Sequence, residues 1–400
     1  MSVTDKPKPP LVAPVRVHAL VDTLYFGGAE FLLADFAEVA ADAGIELSVA
    51  ALKPLTPPAP AADRLRLRGF EPEAVPVTSM VHPRELRRVR RHLAGLRPDL
   101  VHTHLSTADF LGGIAARSLG IPLVTTIHAD WWADEWRERT RTWLASRARR
   151  HCADTVVAVS ESARTAYLAA GHDIPEHVTV VRNGIVDRAR PGSGAGVRQE
   201  LGLGRDELVV TALAELRPEK NFEAAIDALG LLGDRFPNAR LVIAGAGPHE
   251  DALHRHAVRL GGAVVLPGHR EDSMELLDAT DVVIHPSHFD AFPTTLLEAM
   301  AASVPVVAAG VGGIPEIVEA DVTGVLVTPP SSEALAAALT PLLERRELRV
   351  RLGSAGRERF EREFSAEPWA HRVRAVYDRV LRERGRGAWS EQARPPRWSS

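Results

Sequence analysis

Cysteine is almost absent: Cys152 is the only one among 400 residues. No internal disulfide can form, which points to a reducing compartment, and the lone thiol reads as structural. Long apolar runs are missing too. None approaches the roughly 20 residues that a membrane span requires, and the opening MSVTDKPKPP lacks the apolar core of a signal peptide, so the expected location is the cytoplasm. Neither sign of charge prevails, with 48 Lys and Arg against 52 Asp and Glu and a net charge of −4. A nucleic-acid partner, which would require a basic surplus, is not expected. What is present is 45% hydrophobic and 25% charged residues, the balance of an ordinary soluble protein. The length exceeds what one core organises, so two domains of about 150–200 residues each are expected.

Short apolar runs alternate with helical patterns along the whole chain. VRVHALVD reads as a buried strand, YFGGAE as a glycine turn, and EFLLADFAEVAADAG as an amphipathic helix closed by Gly44. Further strands are read at LSVAAL, DLVHTH, PLVTTIH, TVVAVS and VTVVRNG, and a second series at LVVTALAEL, RLVIAGAG, AVVLPG, DVVIHPS and VPVVAAG. This alternation predicts two α/β halves, each a parallel sheet covered on both faces. RPGSGAG, Arg190 to Gly196, is the candidate linker. The expected divisions are therefore 1–188, 197–364, a helix over 365–383 that crosses back to the first domain, and a loose tail over 384–400.

In open parallel sheets ligands sit beyond the carboxyl ends of the strands. That rule selects Gly27 and Gly28, His102 and His104, His128, Ser160, Asn183 and Gly184, the stretch from Arg217 to Asn221, Gly245 and Gly247, Gly268 to Arg270, and HFDAFPTTLLEAMAASVPVV from His288 to Val307. In the last of these, Pro293 suits a helix start, and Thr294 and Thr295 leave free amides in the first turn. Such an end binds phosphate. Glu298 lies three to four residues further, displaced by about 5–6 Å along the axis, roughly the offset from a diphosphate to a ribose, whose hydroxyls a carboxylate accepts. Asp290 precedes the helix, on the side where a sugar attached to that diphosphate would lie. The stretch taken by itself allows a second reading, in which Glu298 pairs with a cation and Asp290 caps the helix.

HPSHFDAFPTTLLEAMAASVPVVAAGVGGIPEIV resembles the signature block of the family 4 retaining glycosyltransferases. GGAE, DLVHTH, TTIH, VVAVSES, VVRNGIV, LRPEKN, LVIAGAGP, VVLPGHRED and FSAEPW follow in the family's order, so the resemblance covers nearly the whole chain. It implies the GT-B fold, two Rossmann-like domains flanking a cleft. The first would serve the acceptor and the second the nucleotide sugar, with domain closure on donor binding. It also implies roles. Glu298 holds the ribose. Asp290 takes the place of the family's first acid beside the donor sugar, normally glutamate, and is shorter by one methylene, about 1.5 Å of reach. Ala291 and Ser303 stand where glycines are usual. Lys220 matches the lysine that contacts the donor diphosphate; the accompanying arginine falls at Glu215, and Arg217 is the candidate substitute. Gly27 and Gly28 approach the donor phosphates, and His128 supports transfer at the donor sugar. Ser160, Asn183 and Gly184 line the cleft, and Arg270 falls where the family's chain passes the nucleotide base, a contact made largely by backbone.

The acceptor side carries fewer signals. Trp131, Trp132, Trp136 and Trp143 follow His128; most read as core, and Trp131 or Trp132 as the face that stacks on an acceptor. RELRRVRRHLAGLR and RERTRTWLASRARR are arginine-rich. Leu86, Val89, Leu93 and Leu96 give the first a core-facing stripe, so its basic face is either simply solvated or a peripheral contact to the inner membrane surface. His102 and His104 have no third ligand at metal spacing, and no Asp-x-Asp pair occurs. No metal or cofactor is expected beyond the nucleotide sugar as co-substrate.

The reading is a retaining transfer of a sugar from a nucleoside diphosphate sugar to the hydroxyl of a glycan, a lipid-linked or a small-molecule acceptor. Its rivals are a nicotinamide oxidoreductase, a sugar-nucleotide epimerase, and a GT-B scaffold that binds nucleotide without turnover. GAGPHE lacks the third glycine of G-x-G-x-x-G, which weighs against the oxidoreductase. The altered positions 215, 290 and 291 are what keep the scaffold in play.

Overall fold

The structure is a computed structural model that describes residues 14–25, 27–128 and 136–385. It divides into two compact units. The first holds the described chain up to Ala158, Arg164–Val181 and the chain from Ala370 onward; the second holds Val159–Ala163 and Arg182–Trp369.

The first unit contains β1 (Val15–Val21), β2 (Ile45–Ala51), β3 (Glu73–Ala74), β4 (Leu100–His104), β5 (Leu123–Ile127), β6 (Thr155–Ala158) and β7 (Val178–Val180). They form one sheet in the order β3-β2-β1-β4-β5-β6-β7, every pair parallel. Every residue of β4 and β5 is buried, as expected of strands covered by helices on both faces. One such layer joins Val89 and Leu93 of helix Pro83–Leu96 to Leu111 and Ala115 of helix Ser106–Leu119 over Leu20 and Val101. Each leucine so buried stabilises by about 1.5–3 kcal/mol.

The second unit contains β8 (Leu208–Leu213), β9 (Ala239–Ala244), β10 (Val264–Gly268), β11 (Val282–His285), β12 (Val306–Ala309) and β13 (Gly324–Val327). Their order is β10-β9-β8-β11-β12-β13, again all parallel. In both sheets the winding direction reverses once, between β1 and β4 and between β8 and β11. Loops leaving the carboxyl ends of such neighbours part in opposite directions and open a crevice.

Three expectations need revision. RPGSGAG is packed and half helical, not a free linker. Gly194 begins helix Gly194–Glu200, and the Asp278 carboxylate accepts the amides of Gly192 and Gly194 at 3.1 and 2.7 Å. A Cβ on Gly194 would lie 2.4 Å from the Ala279 nitrogen, so this glycine serves close approach; the chain changes unit at Val181–Arg182 instead. Trp143 is 57% exposed, not core. The arginines of helix Trp136–Cys152 are not one solvated face: Arg149 is buried against Asp109 at 2.7 Å, and Arg141 pairs with Asp22 and Thr107. The inward carboxylates supply the reason. Helix Ala366–Glu383, expected to cross back to the first domain, counts with the first unit from Ala370 onward, its first four residues counting with the second. There Arg374 donates to the carbonyls of Ala43 and Gly44, and the Tyr377 hydroxyl meets His102 Nδ1 at 2.7 Å.

Candidate active site

The loops beyond β8, β9, β10 and β11 are laced together before any side chain reaches a ligand. Leu216 donates to the Ala246 carbonyl at 3.0 Å and accepts from the His249 amide, while Gly245 donates to the Gly268 carbonyl. A Cβ on Gly247 would lie 2.4 Å from the Leu216 carbonyl oxygen, which is why glycine stands there. Asn221 adopts the left-handed conformation, φ 56° and ψ 39°, which asparagine tolerates better than most residues. Its side-chain amide donates to the carbonyls of Pro286 and Pro330, both at 3.1 Å. The 3₁₀ turn Pro218–Lys220 is thereby pinned beside the loop after β11.

That pinning delivers Lys220 to Asp290, with Nζ 2.6 Å from Oδ2. His285, the last residue of β11, places Nε2 3.2 Å from the same oxygen, and Ser287 Oγ stands 3.1 Å from that nitrogen. Burial alone would raise the Asp290 pKa; the His285 hydrogen bond and the Lys220 charge outweigh it and hold it down at about 2. Asp290 is therefore an anion at any working pH. Its backbone is held too, since Gly313 donates to its carbonyl at 2.9 Å. A Cβ on Gly312, at φ 56°, would lie 2.0 Å from that carbonyl oxygen, and one on Gly313 1.9 Å from the Ala291 oxygen.

Helix Thr294–Ala301 begins four residues later, with Pro293 at the cap position rather than inside the first turn. Thr295 Oγ1 donates to the Leu213 carbonyl at 3.1 Å, tying the helix start to the end of β8. The first-turn amides of Thr294 and Thr295 have no acceptor within the helix. Glu298 sits one turn on, half-buried, while Leu296, Leu297 and Met300 face the core. Lys220, Asp290, the helix start and Glu298 thus meet at the reversal between β8 and β11.

Other predicted residues are placed differently. Arg217 is half-exposed and pairs with Glu215 at 2.9 Å, so the acid standing in the family arginine's place holds the substitute. Arg270 spends its guanidinium on Glu200 at 2.8 and 3.0 Å and on Asp272 at 2.8 and 2.6 Å. Ser160 is fully buried and caps the Ala163 amide at 3.0 Å. Asn183 is buried. Gly184 lets the returning chain approach, since a Cβ there would lie 2.8 Å from the Ser365 oxygen.

In the first unit His128 directly follows β5, and His104 Nδ1 lies 3.1 Å from its Nε2. His102 bonds Thr126 and Tyr377, both at 2.7 Å. Burial lowers the pKa of His102 to about 3 and that of His104 well below the ordinary value, so both are neutral rings. Among the described residues no group of three His, Cys, Asp or Glu is placed to hold a metal. Gly27 touches Glu30, whose Oε2 lies 2.2 Å from where a Cβ would stand, whereas Gly28 faces open space. Trp131 and Trp132 lie outside the described residues.

The family model described as Glycosyltransferase Family 4 matches residues 26–188, and that described as Glycosyl transferases group 1 matches residues 196–359. The D-inositol 3-phosphate glycosyltransferase of Saccharomonospora viridis is 32% identical over 311 residues, 71% of this chain and 70% of that one. The chain belongs to the family 4 glycosyltransferases. The alpha-maltose-1-phosphate synthase of Mycolicibacterium smegmatis is 31% identical to this glycosyltransferase, over 68% of this chain and 76% of its own. Among solved structures, Anabaena HepE in complex with UDP-glucose superposes with a TM-score of 0.80 at 26% identity, covering 92% of this chain and all of that one. The fold is GT-B.

The sequence reading of this glycosyltransferase missed His285, Ser287 and Asp22. Asp22 ends β1 and accepts the amides of Thr107 and Ala108 at 3.1 and 2.7 Å, capping helix Ser106–Leu119. Its place at a strand's carboxyl end was the available signal. His285 sits inside an apolar run that reads as strand alone.

Proposed function

We propose that this glycosyltransferase moves a sugar from a UDP-sugar to an acceptor hydroxyl with retention of the anomeric configuration. The observation that carries the reading is the convergence of Lys220, Asp290 and the start of helix Thr294–Ala301 where the second sheet reverses. The C1–O bond to the diphosphate breaks, a new C1–O bond forms to the acceptor oxygen on the same face, and the acceptor's proton leaves with the departing phosphate oxygen. Lys220 and the first-turn amides offset the charge that builds on the diphosphate. Arg217 joins them when it leaves Glu215, an exposed pair that costs little to break. Glu298 accepts the ribose hydroxyls, Asp290 a sugar hydroxyl, Gly27 and Gly28 admit the phosphates, and His128 supports the sugar in flight. These groups perform the transfer without a metal. HepE, solved with UDP-glucose, supports the choice of nucleotide, and the resemblance to a retaining family supports the stereochemistry.

The test is diphosphate release from a panel of UDP-, GDP- and TDP-sugars, with D-inositol 3-phosphate among the acceptors and the product anomer read by NMR. Glu298→Ala is expected to weaken nucleotide binding at least about tenfold, or 1.4 kcal/mol, and chelators to leave the rate unchanged. Binding to no sugar nucleotide refutes the transferase reading; binding without turnover on any acceptor favours the scaffold. The exposed Arg87, Arg88, Arg90 and Arg91 of helix Pro83–Leu96 form the surface this reading brings to an anionic membrane. Flotation with phosphatidylserine vesicles, lost on Arg87→Glu with Arg91→Glu, is the matching measurement.

A further inference from the structure

His285 is 2% exposed and so cannot itself meet a ligand. Its Nε2 faces Asp290 Oδ2 at 3.2 Å. An ionised carboxylate only accepts, so Nε2 must carry the proton; the tautomer is fixed, and the same N–H is shared with Ser287 Oγ at 3.1 Å. Lys220 binds that same Oδ2 at 2.6 Å. Two donors thus converge on one carboxylate oxygen, while Oδ1 bonds to none of the described residues and the side chain keeps 15% of its surface exposed. The backbone cannot shift to change this, because Gly313 holds the Asp290 carbonyl and Gly312 lies against it.

We propose that His285 is a positioning residue for donor-sugar recognition: with Lys220 it clamps Asp290 Oδ2 and leaves Oδ1 as the one acceptor available to a hydroxyl of the donor sugar. The inference rests on the reading that Asp290 meets that sugar. It explains how a shorter acid serves where the family carries glutamate. Glutamate would place its carboxylate about 1.5 Å further out, past the reach of a histidine anchored at the end of β11, so His285 and Asp290 form a matched pair. Through Oδ1 the sugar gains an acceptor whose orientation is set before binding. The His285 contact is made to the sugar-facing acid and not to the helix start or Glu298, so it bears on the sugar and not on the nucleotide.

The experiment measures, by calorimetry, the affinity of UDP and of UDP-glucose, or of whichever panel donor the wild type binds most tightly. Turnover and KM are measured alongside, in wild type, His285→Leu, His285→Gln and Asp290→Asn. His285→Leu is expected to leave UDP affinity within about twofold, to weaken the sugar nucleotide about tenfold and to lower kcat by a similar factor. His285→Gln, whose amide N–H can reach Oδ2, recovers most of both. Equal loss of UDP and UDP-sugar affinity, in both His285 variants, overturns the proposal in favour of general support of the site. Wild-type behaviour of His285→Leu beside a damaged Asp290→Asn reduces His285 to core filling. An Asp290→Asn variant that binds the sugar nucleotide as the wild type does removes the underlying reading of Asp290 itself.

Discussion

At the scale of single residues, the candidate donor site turns on cations and carboxylates whose partners are already chosen. Lys220→Ala removes the cation paired with Asp290 and leaves a half-buried carboxylate with His285 as its remaining side-chain partner. Turnover is expected to fall by about 10²–10³, the loss typical of deleting one stabiliser of developing charge, with kcat affected more than nucleotide affinity; steady-state kinetics beside calorimetry separates the two. Ser303 carries a different burden. It occupies a left-handed conformation, φ 60°, just beyond helix Thr294–Ala301, where glycine is at ease. Ser303→Gly should raise the unfolding free energy by about 0.5–1 kcal/mol, read as a shift in denaturation midpoint with unchanged activity. The reading of Ser303 as a glycine position came from resemblance, and the backbone now gives its physical content. His285 was illegible for the opposite reason: a histidine within VVIHPS carries the signal of a strand end, and nothing local announces an acid five residues on folding back to meet it.

Elements were legible where an apolar run met a turn. β4, β5, β9, β11 and β12 stand out in the sequence as short, mainly apolar runs that end at or just before a glycine or histidine, and β1 and β8 as longer mainly apolar runs, because a strand buried on both faces admits little else. β3 was not. Its two residues, Glu73 and Ala74, are both exposed, so pairing with β2 alone defines it. RPGSGAG failed through an ambiguity of glycine, which marks a free hinge and a tight approach alike. The pair Gly312–Gly313 shows the second use at the candidate active site. Gly313→Ala would drive a methyl to 1.9 Å from the Ala291 carbonyl oxygen, so the loop carrying Asp290 must move. A loss of at least about 2 kcal/mol in stability is expected, together with a fall in turnover disproportionate to nucleotide binding. Gly28→Ala, at a glycine facing open space, should cost little stability, so any loss of activity there reports on ligand approach.

At the scale of the molecule the two units differ in what acid does to them. His18 and His102, both in the first unit, are held by burial at a pKa of about 3, well below the ordinary histidine value near 6.5. The unfolded chain takes up these protons first, so stability falls as pH drops from about 6.5 towards 3 and then levels. Asp290, in the second unit, is depressed from an ordinary carboxylate to about 2. Its contribution is fully present above about pH 4 and is lost only as pH falls through about 2. Acid denaturation followed by a probe in each unit should therefore show the first unit failing at higher pH. His102→Gln, which keeps a polar partner for Tyr377, should flatten the first unit's slope between pH 6.5 and 3 without moving the second. Coincident transitions would show that these groups do not govern acid stability.

The first unit is discontinuous in sequence, since it takes the chain up to Val181, apart from Val159–Ala163, and again from Ala370. That gap has a temporal meaning during synthesis. About 190 residues separate the two parts, roughly 10–40 s at ribosomal speeds, and until helix Ala366–Glu383 emerges the nascent first sheet has neither the Tyr377 hydroxyl for His102 nor Arg374 for the carbonyls of Ala43 and Gly44. A chimera that exchanges the amino-terminal half of this enzyme for a relative's must carry the relative's last helix with it, or it will join a sheet to a stranger's closing strap.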